Sequence, residues 1–135
     1  MNTIPTHAKW LLALGGLNAA LAVTLGAAEA HVLKAQLVAN DHAGLFPLAL
    51  QYHQWHALGL MVVGLAVAHF PVARCFAWSG WLLLIGIILF SGNLYLRSIS
   101  GLPGLYMAIP VGGTLFIFGW LLFAVGALRL GKTNP

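Results

Sequence analysis

His53 and His56 are the side chains of this chain best spaced for chemistry. Three positions apart, they share one face of a helix, which suits two ligands of a single ion. Imidazole serves zinc, copper, iron or nickel. Glu29 and His31 close an earlier apolar run and are placed to complete a four-ligand set. The plainer alternative is that these histidines bond water or loop carbonyls near the lipid headgroups. A bare ion fits better than haem, because no pair of histidines is expected to face across two helices at mid-membrane depth. His42 falls in a loop, His7 near the start of the chain, and His69 at the opposite end from His53.

Glu29 is the carboxylate inside a helical segment. Drawn towards lipid, a carboxylate must be paired or protonated. It therefore reads either as a proton-carrying or cation-binding group, or as a buried partner of Arg97, Lys34 or His31. Asn18 extends the same polar stripe inward, where such residues usually hold helices together. Ser91 and Tyr95 stand one turn apart and are expected to hydrogen-bond to each other or across helices. With Asn93, Arg97, Gly112 and Gly113 they line a polar layer expected at one end of the molecule. No nucleophile with a neighbouring base and no phosphate-cradling loop is present, so an enzyme is the least favoured class. The single cysteine, Cys75, excludes an internal disulfide and a thiolate metal site.

The elements that must position these groups are marked out by charge. Six basic and two acidic residues make up only 6 % of the chain, against 61 % hydrophobic residues. Between the charges lie four uncharged stretches, Trp10–Ala28, His42–Ala73, Cys75–Leu96 and Ser98–Leu128. A spanning helix needs about 20 mostly apolar residues, and each stretch is long enough. None alternates with period two, so helices are favoured over a barrel. The reading is an all-α, integral membrane bundle of four transmembrane helices, up-down-up-down, in one domain over residues 1–135. The helices are expected over about residues 10–30, 48–70, 76–97 and 110–130. Pro71 stops the second, and the short loop to Arg74 makes the second and third an antiparallel hairpin. Gly112, Gly119 and Gly126 recur every seventh residue, as do Ser79, Gly86 and Asn93. With Gly15 and Gly26 of the first helix, they mark faces of close backbone approach.

The lipid bilayer is thus the first partner, and nucleic acid is not one: the basic residues are scattered over helix ends. Lys9, Arg74, Arg129 and Lys132 mark one side and Lys34 and Arg97 the other, which favours both termini in the cytoplasm. Lys9, the apolar run and Ala28-Glu29-Ala30 resemble a signal peptide, but the run is long enough to span and is expected to be retained.

Taken in order, Gly26-Ala27, Ala30-His31-Val32-Leu33, Tyr52 with His56, Ser91-Gly92-x-Leu94-Tyr95, Pro110-Val111-Gly112-Gly113, Gly119-Trp120 and Val125-Gly126-Ala127 resemble one family. It is the YgdD-like group of small four-helix inner-membrane proteins. The resemblance implies a four-span bundle in the bacterial inner membrane and no activity, since the group's function is unknown. Ala28 and Glu29 depart from its pattern, which has Phe and Gly there, and position 53 can be Gln. A shared role would then rest on His31 and His56.

Three function classes follow. The first is a non-enzymatic accessory or structural membrane protein, a homo-oligomer or part of a larger membrane complex, with a histidine-containing pocket at the outer end. The second is a binder of metal, haem or a quinone-like ligand. The third is a small proton-coupled transporter acting as an oligomer. The sequence names no cofactor.

Overall fold

The computed structural model describes residues 4–40, 44–71 and 73–131. Four long helices account for nearly all of them: α1, Thr6–Ala39; α2, Leu45–His69; α3, Arg74–Ser100; and α4, Ala108–Leu128. No strand occurs among the described residues. The chain is an all-α membrane bundle.

Helix ends follow local chemistry. Pro47 sits in the first turn of α2, where its missing N–H is not needed. Pro71 ends α2 by forcing Phe70 out of the helical region, to φ −123° and ψ 66°. Gly101 takes φ +70° and caps α3 in the left-handed conformation that a side chain resists.

The helix boundaries differ most in α1. It continues past Ala30 to Ala39, because Glu29–Ala39 is rich in Ala, Leu, Lys and Gln and holds neither Gly nor Pro. A π-turn over Glu29–Leu33 carries the helix through this point. The wider turn holds an extra residue, so the buried stripe of Leu11, Gly15 and Ala22 resumes with Leu37. α3 carries a second π-turn over Ile87–Gly92.

α1, α3 and α4 are each long and apolar enough to cross a membrane. α2 is 25 residues long, but the run Gln51–His56 dilutes its apolar content. Its polar residues explain its place. α2 packs between α1 and α3, and ten of its residues are buried, His53 and His56 among them. α4 lies mainly along α3.

Glycines permit the close approaches. A Cβ on Gly15 would stand 2.6 Å from Met61 Cγ, and one on Gly26 3.3 Å from Leu50. On Gly112 it would stand 2.6 Å from the backbone nitrogen of Phe90, and on Gly86 2.6 Å from the Phe116 ring. Gly119 and Gly126 lie likewise against Leu83 and Phe76. The apolar interior falls into two clusters. One gathers Leu11, Leu60, Val63, Phe76, Leu83 and Phe116. The other, towards the Ala39 end of α1, gathers Leu37, Phe46, Ala49, Leu94 and Tyr95. Asn18, His53 and His56 lie between them along their helices.

Candidate functional site

His53 is almost wholly buried, with 2 % of its surface exposed. It joins three helices. The Asn18 amide donates to the carbonyl of Leu14 at 2.8 Å, which leaves its oxygen to accept. His53 Nε2 lies 3.0 Å from that oxygen and must therefore donate. The neutral ring then has its lone pair on Nδ1, 3.3 Å from the Tyr95 hydroxyl, which donates to it. Tyr95 leans on Phe46, ring centres 4.8 Å apart. The result is a chain from α1 through α2 to α3 with both imidazole nitrogens occupied. Lipid offers no substitute partners, so these groups satisfy one another.

His56 faces α4 instead. Its ring stacks on Phe116, centroids 3.5 Å apart and planes 13° apart, with Tyr52 and Trp120 close by. Nδ1 donates to the Tyr52 carbonyl one turn back, at 2.6 Å. Nε2 is left as an acceptor with no partner among the described residues. The residue borders a groove of about 440 Å³ lined also by Trp55, Leu58, Gly59, Val62 and Trp120.

Both histidines sit deeper than the sequence reading placed them. α2 starts at Leu45, so His56 lies about 16 Å along it, near its middle. His31 does not approach. Gly26 abuts Leu50, so His31, further out on α1, is level with the first turn of α2. It is also exposed. The expectation that Glu29 and His31 complete a ligand set with His53 and His56 fails for this reason: the unforeseen length of α1 separates His31 from His56 along the bundle. Among the described residues no group of three or more His, Cys, Asp or Glu could hold a metal ion. His42 lies outside the described residues.

Glu29 is half-buried in the π-turn of α1 and borders an open groove of about 460 Å³ with Lys34 and Leu37. The rest of the polar layer at the Ala39 end of α1 is occupied by loop anchoring. The Asn93 amide donates to the Leu105 carbonyl and accepts from the Leu105 N–H, both at 3.0 Å, as a strand neighbour would. Arg97 lies beneath Gly104, with its guanidinium carbon 6.0 Å from the centre of the Tyr106 ring. Gly113 would carry its Cβ 3.8 Å from the Phe90 ring, beside the tight Gly112 contact. Of the two bonding patterns expected for Ser91 and Tyr95, the mutual one does not form and Tyr95 alone bonds across helices. The buried Ser91 hydroxyl has no partner among the described residues, and Tyr95 turns its own hydroxyl to His53.

Several contributors escaped the sequence reading. Gln36 and Asn40 donate their amides to the Ile99 carbonyl at 2.7 and 2.8 Å, docking the end of α1 on the end of α3. Phe116 and Trp120, which enclose His56, are one turn apart on α4. That spacing was the available signal.

Comparison with known proteins accords with this architecture. A family model described as a protein of unknown function, DUF423, matches residues 25–113, from the outer half of α1 to the start of α4. The chain belongs to this family. The UPF0382 inner membrane protein YgdD of Escherichia coli K12 is 37 % identical over 125 residues, 92 % of this chain and 93 % of the relative. The UPF0382 membrane protein YwdK of Bacillus subtilis is 37 % identical over 121 residues, 90 % of this chain and 98 % of the relative. A UPF0382 membrane protein of Staphylococcus epidermidis is 38 % identical over 121 residues, 90 % and 97 % of the two chains. No solved structure matches. The chain is an integral membrane protein of an uncharacterised family, and the YgdD-like resemblance read from its motifs holds.

Proposed function

We propose that this family member is a non-enzymatic accessory protein of the bacterial inner membrane, with both termini in the cytoplasm. One observation carries the reading: the Asn18–His53–Tyr95 chain uses the buried polar groups to fasten three helices together. Both nitrogens of His53 are engaged in bonds to other helices, so the group works here as a link between them. The outward surface is apolar and broken by grooves, as suits a protein packed among lipids or other membrane subunits. Elemental analysis and an absorption spectrum of the protein purified in mild detergent test this. Metal at background and no visible chromophore are expected. A stoichiometric ion or a haem band would replace the structural reading with the ligand-binding one.

His56 favours a second reading. Its Nε2 has no partner among the described residues, and the residue lines a mid-bundle groove with Trp55 and Trp120, so a small movement would let it accept from a lipid-soluble hydroxyl such as that of a quinol. Organic extraction of purified protein, followed by chromatography with ultraviolet detection, reads this directly. Wild type should retain the compound and His56→Phe should not. Equal content in both would dismiss it. The transporter reading draws no such support, since Glu29 sits in the outer π-turn and not at mid-bundle.

A further inference from the structure

A cavity of about 620 Å³ opens where the α2–α3 turn meets the end of α4, the end that also carries Lys9. Its lining divides by chemistry. Arg74, Arg129 and His69 are its basic lining residues, while Phe70, Pro71 and Leu130 supply apolar surface. Arg74 opens α3 and Arg129 follows α4, so two separate helices deliver charge to one opening. Arg129 reaches across: its Nη1 lies 3.9 Å from the sulfur of Cys75, the neighbour of Arg74. Both arginines are exposed. Glu29, the one carboxylate among the described residues, lies in the outer part of α1, at the other end of the bundle. Two basic residues from different helices meet at this opening, and no acidic side chain among the described residues lines it.

We infer that this cavity binds a phosphate-bearing anionic headgroup, held by Arg74 and Arg129, with the attached lipid chain lying over Phe70 and Leu130. The planar guanidinium fork matches phosphate oxygens in pairs and is less strongly hydrated than an ammonium group. A cation–apolar lining is complementary to a lipid at the boundary between headgroup and chain. It is less suited to a wholly water-soluble anion, which would leave the apolar wall unused. The topology proposed above puts the cavity at the cytoplasmic leaflet, whose anionic lipids attract basic residues.

The test uses the full chain, delipidated in a non-ionic detergent, with thermal unfolding and native mass spectrometry as readouts. The probes are phosphatidylglycerol, phosphatidylcholine and inorganic phosphate. Phosphatidylglycerol should bind and raise the melting temperature, and phosphatidylcholine should do neither. Arg74→Gln and Arg129→Gln should each weaken phosphatidylglycerol binding about tenfold, the loss of one charge-assisted contact. Lys9→Gln, outside the cavity lining, should bind as wild type does. Arg129→Lys keeps the charge and loses the fork, and should fall between wild type and Arg129→Gln. It also serves if the glutamine variant does not fold. An arginine-dependent response to inorganic phosphate as well would show that the phosphate alone suffices, so that free phosphate esters are the source. Equal phosphatidylglycerol binding by wild type and both arginine variants overturns the inference. So does an equal loss in Lys9→Gln, since diffuse surface charge would then explain the binding.

Discussion

Replacing His53 with leucine tests the central claim about the bundle's interior. The side chains are similar in bulk, so the change removes hydrogen bonds more than volume. Two interhelical bonds disappear, at 3.0 Å to Asn18 and 3.3 Å to Tyr95. Such bonds in membrane proteins average about 0.6 kcal/mol each, because the unfolded helices also find partners. The larger effect falls on what is left behind. The Asn18 oxygen and the Tyr95 hydroxyl lose their partners in a place water scarcely reaches, at about 1–3 kcal/mol for each group fully stranded. Partial exposure of Asn18 softens its share. We expect His53→Leu to destabilise by about 2–4 kcal/mol, measured by reversible unfolding in mixed micelles of mild detergent and sodium dodecyl sulfate. Tyr95→Phe should cost about 1 kcal/mol. The double variant should cost less than the sum of the two, since the second change removes a partner already lost. The Asn18–His53 pair, with the shorter bond, should show the larger coupling. Additivity within about 0.5 kcal/mol for both pairs would refute the network.

Gly119→Leu should lower thermal stability in detergent more than Leu121→Ala, because a Cβ at Gly119 already meets Leu83 Cδ2 at 2.6 Å, whereas Leu121 is exposed. Equal stability would mean that the α3–α4 contact can open freely. Gly112→Ala should be worse than Gly119→Ala, since its Cβ meets the backbone of Phe90 and not a side-chain tip that can turn aside. Asn93→Ala should release the 102–107 loop, read as faster amide exchange at Leu105, and unchanged exchange there would show that Arg97 and Gly104 hold the loop alone. A periplasm-dependent reporter fused after Pro135 should stay inactive, and activity would reverse the proposed orientation.

The elements were legible because their signals are local. Charge-free stretches, the stop at Pro71 and the seven-residue glycine spacing of α4 each act within a few turns. Depth was not legible, because it depends on how one helix is registered against another. Gly15 against Met61 and Gly26 against Leu50 set that register, and nothing in either segment names the other. Treating residues past Ala30 as a loop moved the outer boundary inward and gathered His31, His53 and His56 into one layer. The continuation to Ala39 spreads them apart. The stripe spacing of Asn18 points it at other helices, yet its partner lies 35 positions away, beyond any periodicity argument. Ser91 misled for the opposite reason: Tyr95 is one turn away but points elsewhere.

The 34 residues of α1 reach further than the membrane they cross. At 1.5 Å per residue α1 is about 51 Å long, against about 30 Å of hydrocarbon. α4, with 21 residues, is about 32 Å and matches that thickness closely. A steep tilt of α1 would have to drag α2 with it, so the excess emerges mostly as a stalk. The stalk is braced where Gln36 and Asn40 grip the end of α3. α1 and α4 thus differ in length by about 20 Å, and the surplus is held by the first turn of α2 and the end of α3 rather than left free.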